Sequence, residues 1–523
     1  MSDGIELAAD IYLPPQEGQT YPTILSLSPY DSTSGRNAGG MNWVARGFAY
    51  VSADCRGCFK SKGEFIPWKN DVRDARDLLD WIAAQPWCNG SIGMVGGSYV
   101  GFTQLAAAAS GHPALKAVAP SVIQSDLYGI YYFGGALALT FMSSWHISMT
   151  YRGPALNPPP DWLALQQRLP VSRLDDRGGM PSPSWKEIVA HPQRDAFWRS
   201  CSFQAHLGKT RTSFFMQGGW FDNIGPAMIN EFGQLPKGRH SCLRIGPWGH
   251  GVNEKQGEID YGRAAQVTEE AEVDFLTSIL TGREPATVRN PAPLQLFIMG
   301  INAWRFEDEW PLKRTQWTPY YLGAGTLSRD PATAENASSD TFTYDPENPV
   351  PTCGGRGATG AGQRNQAEIE KRGDVLVYTS PPLAADLEVT GPVSLILFAS
   401  SSAPDTDFTV KLVDVYPDGL AFNVCDGVLR TRFRGGIDNA PRLLEPGTVC
   451  EMTVDVDCTA TVFRRGHALR IQISSSNFPR YSRNLNTGGD SATETGARLA
   501  VQTVYHSKDY PTRLILPVIP AGV

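Results

Sequence analysis

Between residues 20 and 120, short apolar runs alternate with helical patterns. Residues 23–27, 49–53, 92–96 and 115–119 have the length and apolar character of buried strands. Residues 71–85 place Val72, Ala75, Leu78, Leu79 and Ile82 at helical spacing, with charges on the other face, which predicts a surface helix lying on a sheet. Strands alternating with helices predict a parallel sheet flanked by helices. The pattern lapses from about 125 to 205. That stretch carries Tyr128, Tyr131, Tyr132, Phe133, Trp145, Tyr151 and Trp162 with Pro158-Pro159-Pro160, shows no clear strand, and predicts a mainly helical insertion. Sheet pattern resumes at 213–217 and 242–246, followed by a helix over 268–280. After about residue 285 helical periodicity nearly vanishes. Strand-length runs at 294–298, 375–378, 393–398, 408–415 and 469–474, separated by Gly, Pro and Asn clusters, predict a β-sandwich or jelly roll of roughly 200 residues. Residues 332–366, rich in Gly, Ala, Ser, Thr and Asn, are expected to form a long loop.

A chain of 523 residues is too long for a single core, and 41% hydrophobic with 19% charged residues is ordinary globular composition. The expected division is a catalytic α/β unit over 1–124 and 206–315, a cap over 125–205 and a β domain over 316–523. The net charge of −7 supplies no basic stripe, which argues against nucleic acid and anionic membranes as partners and for a small-molecule substrate. Nine cysteines spread irregularly from Cys55 to Cys458 read as thiols in a reducing compartment. The first residues, 3–12, alternate like a strand instead of forming a basic region and an apolar stretch, and no window approaches 18 apolar residues. A soluble cytoplasmic protein is expected; a homo-oligomer is left open.

The chemistry concentrates at three turns. Residues 92–102 read as a buried strand, a glycine-lined turn and the start of a helix, with Ser98 at the turn between Gly97 and Tyr99. Setting a serine on a strained strand-to-helix turn demands small neighbours and leaves its hydroxyl at a helix N-terminus, where backbone N–H groups can hold an oxyanion. The usual G-x-S-x-G spacing is altered: Val100 occupies the last position and the glycine follows at Gly101. Asp222 sits just beyond the strand at 213–217, and His250 just beyond that at 242–246. Successive strand ends of a parallel sheet share one edge, so the three side chains can converge, in the order Ser, Asp, His of α/β-hydrolases. Ser98 is the expected nucleophile, His250 its base and Asp222 the residue that orients the base. The other histidines lack this context: His112, His191 and His240 lie in surface-like surroundings, His146 and His206 in the insertion or its exit, and His467 and His506 in the β region.

Several motifs in order resemble the cocaine esterase and X-Pro dipeptidyl-peptidase family of α/β-hydrolases: Ser28-Pro29-Tyr30-Asp31, Asp54-Cys55-Arg56-Gly57, Ser61-Lys62-Gly63-Glu64-Phe65, Gly97-Ser98-Tyr99-Val100-Gly101, Gly219-Trp220-Phe221-Asp222, Gly246-Pro247-Trp248-Gly249-His250, Asp405-Thr406-Asp407-Phe408 and Ser475-Ser476-Asn477-Phe478-Pro479-Arg480. The resemblance implies an α/β-hydrolase domain, an inserted helical cap and a C-terminal jelly roll. It also implies an oxyanion hole made of the Tyr30 hydroxyl and the Tyr99 amide; a phenol titrating near pH ~10 stays protonated and can donate. Amino acid ester hydrolases of this family carry an acidic pair two and three residues after the catalytic Asp. Here those places are Ile224 and Gly225. A dipeptidyl-peptidase would need a carboxylate for the substrate's free N-terminus, for which the cap offers Asp126, Asp175 and Asp176, residues that otherwise read as solvated loop charges.

The expectation that fits best is a carboxylesterase acting on a small, partly apolar molecule, with no cofactor and no metal. An acyltransferase using the same acyl-enzyme, an X-Pro dipeptidyl-peptidase or amidase, and a catalytically silent binding protein are the alternatives. Cys55-Arg56-Gly57-Cys58 lacks a second pair to complete a metal site, Arg56 reads as a tie between loops, and Asp405 and Asp407 as strand-end hydrogen-bonding groups.

Overall fold

The computed structural model describes all residues except 17, 32–36, 151–159, 178–181, 226, 237–239, 252–254, 284–291, 332–337, 358–359 and 522–523. Among the described residues, nine strands form one mixed sheet: β1 (Ala9–Tyr12), β2 (Tyr21–Ser28), β3 (Ala49–Asp54), β4 (Cys88–Gly97), β5 (Leu115–Ser121), β6 (Ser213–Gly219), β7 (Cys242–Gly246), β8 (Leu294–Ile298) and β9 (Ala303–Glu307). Their order is β1-β3-β2-β4-β5-β6-β7-β8-β9. Pairing is parallel from β3 through β8, and β1 and β9 close the edges antiparallel. All six residues of β3 and all five of β8 are buried, as the two covered faces of a parallel sheet require.

Helix α1 (Asp71–Ala83) buries Ala75, Leu78, Leu79 and Ile82 on the stripe its spacing predicts. Helix α2 (Tyr99–Ala109) packs against α1, β4 and β5 and is buried along nearly its whole length, which suits its small-residue end at 106–109. On the opposite face, α4 (Glu270–Leu280) sets Phe275, Leu276 and Leu280 against Ile24, Ala117 and Phe215. The chain passes from β2 out to β3 and returns to β4 on the other side of β2. The connections leaving β2 and β4 therefore diverge, and the carboxyl ends of these neighbours flank a crevice of the kind where open α/β sheets bind ligands.

The cap is built around α3 (Leu139–Thr150) and short helices that bury Leu174, Trp185 and Trp198. It also holds a small hairpin of Tyr132–Phe133 with Ala136–Leu137, where no strand was expected. The hairpin docks on the β domain: the Arg430 amide donates to the Gly134 carbonyl at 2.8 Å, and a Cβ on Gly134 would collide with the Val428 carbonyl. The Pro158-Pro159-Pro160 run lies outside the described residues except for Pro160.

The β domain stacks two sheets. One contains Gln316–Leu322, Ser339–Tyr344, Leu387–Ser401, Cys450–Phe463, Ala500–Tyr505 and Arg513–Ile519; the other contains Leu376–Thr379, Asp407–Val415, Ala421–Arg430 and Ala468–Ser474. Leu395, Leu397, Phe408, Val410, Leu412, Val454, Ile471 and Ile473 fill the space between them. This is the C-terminal β architecture expected, joined to the nine-stranded sheet through Met299, whose amide donates to the Ala460 carbonyl and whose carbonyl accepts from Val462, both at 2.9 Å.

Four expectations are corrected. The run at 294–298, grouped by its pattern with the sandwich strands although the expected division set it within the 206–315 unit, pairs parallel with β7 and extends the nine-stranded sheet; burial on both faces gives either kind of strand the same apolar run. The presumed loop over 332–366 contains the strand Ser339–Tyr344, paired with Ala500–Tyr505; the polar Ser339, Thr341 and Thr343 on its solvent side masked it. His112 is buried and bonded to Asp80 at 3.0 Å. Asp175 is buried, accepting the Ser182 amide at 2.7 Å. No helix among the described residues is long and apolar enough to cross a membrane.

Candidate active site

Ser98 occupies the turn from β4 into α2 with φ 57° and ψ −130°, a conformation that a side-chain-bearing residue rarely adopts. The turn is crowded because it wedges between strands. A Cβ on Gly97 would lie 2.6 Å from Ser121 Oγ, and one on Gly101 would lie 2.6 Å from Ile123 Cγ2. The altered glycine spacing thus has a steric reason: the residue that must be small where α2 meets the end of β5 is 101, while the Val100 side chain packs against the hydrogen face of Gly96. The Tyr99 amide is at the first turn of α2, among the N–H groups for which a helix supplies no internal partner. Its phenol points away into the core, donating to Asp71 Oδ2 at 3.1 Å and accepting the Trp68 amide at 3.0 Å. Burial pushes the Asp71 carboxyl up to about 7 against the lowering effect of that phenol, with the charge of Asp74 adding to the rise.

Asp222 and His250 come from the loops after β6 and β7. These loops are knitted by backbone bonds, Trp220 N–H to the Gly246 carbonyl at 2.8 Å and Phe221 N–H to the Trp248 carbonyl at 2.9 Å. Asp222 is fully buried, and its Oδ1 is 2.9 Å from His250 Nδ1. That contact engages Nδ1, and His250 lines the cavity. Burial alone would lower the affinity of the ring for a proton; the charge of Asp222 and its hydrogen bond outweigh burial and hold the imidazole pKa above its ordinary value. Phe141 of α3 packs edge-on against His250, with centroids 5.2 Å apart.

Ser98, His250 and Tyr30 line one cavity of about 1060 Å³ under the cap. Ser98 and His250 also border a smaller one of about 190 Å³ on their other side. The structure thus brings together the Asp222–His250 pair and places Ser98 in the same walls, although no hydrogen bond joins the Ser98 hydroxyl to the imidazole among the described residues. Tyr30 follows β2, next to β4 in the sheet. Its backbone is tied by Ser28, whose hydroxyl donates to the Tyr30 carbonyl at 2.8 Å and accepts the Tyr30 amide at 3.1 Å. The cap contributes Phe141, Trp145 and Trp162 to the cavity as an apolar wall.

Sequence reasoning missed the other wall. Glu269, Glu270 and Glu272, at the start of α4, line the same cavity, and burial pushes the Glu272 carboxyl up to about 7. The helix was legible; that its first turn reaches the crevice followed only from its packing across the sheet. Ile224 is buried, and a Cβ on Gly225 would run into the backbone of Gly219, so a carboxylate cannot be accommodated at 225 without moving the Asp222 loop. Pro226 lies outside the described residues. Asp126 pairs with Arg194 at 3.1 Å and Asp176 with Lys186 at 2.8 Å. Arg56 ties loops as expected, bonding Asp74 and Asp3, while Asp405 and Asp407 pair with Arg432 and Arg430.

A parallel sheet with a serine on its strand-to-helix turn and a histidine–carboxylate pair on the neighbouring strand ends defines an α/β-hydrolase. The family model described as X-Pro dipeptidyl-peptidase (S15 family) matches residues 3–252, and that of the X-Pro dipeptidyl-peptidase C-terminal non-catalytic domain matches residues 286–515. The cocaine esterase of Rhodococcus sp. (strain MB1 Bresler) is 38% identical, over 99% of this chain and 97% of its own. An α-amino acid ester hydrolase superposes with a TM-score of 0.85 at 25% identity, covering 99% of this chain and 95% of that one. An aminopeptidase from a marine sediment archaeon, Thaumarchaeota archaeon, shares the fold with a TM-score of 0.88 at 24% identity, over 99% and 95% of the two chains. The chain belongs to the cocaine esterase and X-Pro dipeptidyl-peptidase (S15) family. It is an ester hydrolase of the serine carboxylesterase class.

Proposed function

We propose that this enzyme hydrolyses carboxylic esters of small, partly apolar molecules through an acyl-enzyme on Ser98. The observation that carries the reading is the buried Asp222–His250 contact of 2.9 Å, set in the wall of the cavity that holds the strained Ser98. Substrate entry brings Ser98 Oγ and His250 Nε2 into hydrogen-bonding reach. Nε2 takes the hydroxyl proton as Oγ attacks the ester carbonyl, and Asp222 holds the tautomer and stabilises the imidazolium. The tetrahedral oxyanion is held by the Tyr99 amide and the Tyr30 hydroxyl. Collapse expels the alcohol, protonated by His250. Water, deprotonated by the same imidazole, then attacks the acyl-enzyme and releases the acid.

Two features remove the ammonium-binding carboxylates considered from the sequence, and leave Glu269, Glu270 and Glu272 as the acidic groups in the cavity wall. The candidate carboxylates of the cap are engaged elsewhere, Asp126 with Arg194, Asp175 with the Ser182 amide and Asp176 with Lys186. The positions after Asp222 hold a buried isoleucine and a glycine without room for a side chain. The aromatic wall of Phe141, Trp145 and Trp162 suits an apolar acyl or alcohol group. Incubation with a fluorophosphonate, read by intact mass, is expected to add one phosphonyl group to the wild type and none to Ser98→Ala. Labelling that survives the substitution would refute the assignment. Product analysis with and without an added alcohol separates hydrolysis from transfer; an excess of transfer product would make the enzyme an acyltransferase.

A further inference from the structure

Trp145 lies one turn after Phe141 on α3, on the same face of the helix. Its indole Nε1–H donates to the Tyr30 hydroxyl at 3.1 Å. Two rings packed together on one side of the indole hold the direction of that N–H. The Trp145 ring stacks on Tyr99, with centroids 5.8 Å apart and 8° between planes, and on Trp68 at 5.5 Å and 24°. Trp68 in turn stacks on Tyr99 at 4.4 Å and donates its own indole N–H to the Tyr131 hydroxyl at 3.0 Å. A cap residue is thus locked against the core beneath the nucleophile turn while it bonds to a loop of the sheet.

An indole nitrogen can only donate, so in this contact the phenol oxygen accepts and its single hydrogen must be directed elsewhere. We propose that Trp145 is a positioning residue for the oxyanion hole: by occupying one acceptor site on the Tyr30 oxygen, it turns the O–H toward the substrate carbonyl and strengthens it as a donor. The inference rests on the reading of Tyr30 as an oxyanion donor. Hydroxyls that accept a hydrogen bond polarise and donate more strongly, and a donor already aimed needs no reorganisation when charge develops on the carbonyl oxygen. The arrangement couples the two layers of the enzyme. Tyr30 comes from the loop after β2 and Trp145 from the cap, so the oxyanion hole is complete only with the cap seated.

The test is a double-mutant cycle on kcat for a p-nitrophenyl ester, with wild type, Trp145→Phe, Tyr30→Phe and the double variant. Phenylalanine keeps an aromatic ring in the stack and removes the N–H. Trp145→Phe is expected to lower kcat by about 3- to 10-fold, the size of one neutral hydrogen bond, with little change in KM, and to cause no further loss in the Tyr30→Phe background. An equal factor in both backgrounds, or an effect confined to KM, would overturn the proposal and leave Trp145 as a pocket wall. An unchanged kcat in Tyr30→Phe alone would remove Tyr30 from the mechanism, and the proposal with it. Should Trp145→Phe not fold, β-(3-benzothienyl)alanine at 145 keeps the indole shape without the N–H, and the same outcomes apply.

Discussion

The strand-end loops and the cap helix α3 both supply walls of the cavity, by opposite means. Ser98, Asp222 and His250 sit where β4, β6 and β7 end, in turns whose shape is forced by their own glycines and by backbone bonds between adjacent loops. Phe141 and Trp145 sit on a helix with no such local constraint, and reach His250 and Tyr30 only because the whole cap is docked. Groups that make and break bonds are anchored to the sheet, where position is rigid. Groups that shape the substrate and aim a donor come from the cap, whose position depends on its docking. Kinetic losses should therefore fall steeply from the first set to the second.

Ser98→Ala should show the largest loss, roughly 10⁶-fold in kcat on a chromogenic ester. A residual rate within 10²-fold of wild type would place the nucleophile elsewhere. Asp222→Asn should cost about 10⁴-fold with the fold intact by circular dichroism, since the imidazole loses the partner that fixes its tautomer.

The same variant sharpens the pH behaviour. Catalysis needs the neutral imidazole, and Asp222 holds the His250 pKa above its ordinary value, so the acid limb of kcat/KM should lie above pH ~6.5. Activity is lost as pH falls through that limb. Without the carboxylate charge only the effect of burial remains, and the limb should move to lower pH. A limb that stays in place in Asp222→Asn would separate it from His250.

Tyr30→Phe should lower kcat by about 10²-fold, the loss of one oxyanion donor, with KM nearly unchanged. Gly101→Ala should destabilise the fold by about 1–3 kcal/mol, because the new methyl meets Ile123 at the end of β5. Gly373→Ala, where nothing lies within 4 Å of the added atom, should leave the urea midpoint in place. Equal effects at the two sites would undo the steric account of the turn. Phe141→Leu should change kcat/KM by only about 2- to 10-fold, the scale of an edge-on aromatic contact. A loss as large as that of Asp222→Asn would erase the contrast between helix and strand ends.

Much of this organisation could be read along the chain because it is local. Apolar runs of strand length mark a buried sheet, glycines beside a serine mark a tight turn, and an acid and a histidine just past strand ends fall on one edge whenever the strands are parallel. Residues 294–298 show where locality stops: a strand buried on both faces has the same pattern in either sheet, and only its partner β7 assigns it. The strand Ser339–Tyr344 escaped notice because one polar face made it resemble a loop. His112 and Asp175 read as surface groups because their partners, the Asp80 carboxylate and the Ser182 amide, come into reach only through folding. For the same reason the carboxylates of α4 in the cavity, the Phe141 ring on His250 and the indole on Tyr30 carry no signature in their own neighbourhoods. Such contacts join segments distant along the chain, and their geometry is set by how the cap and helices pack on the sheet.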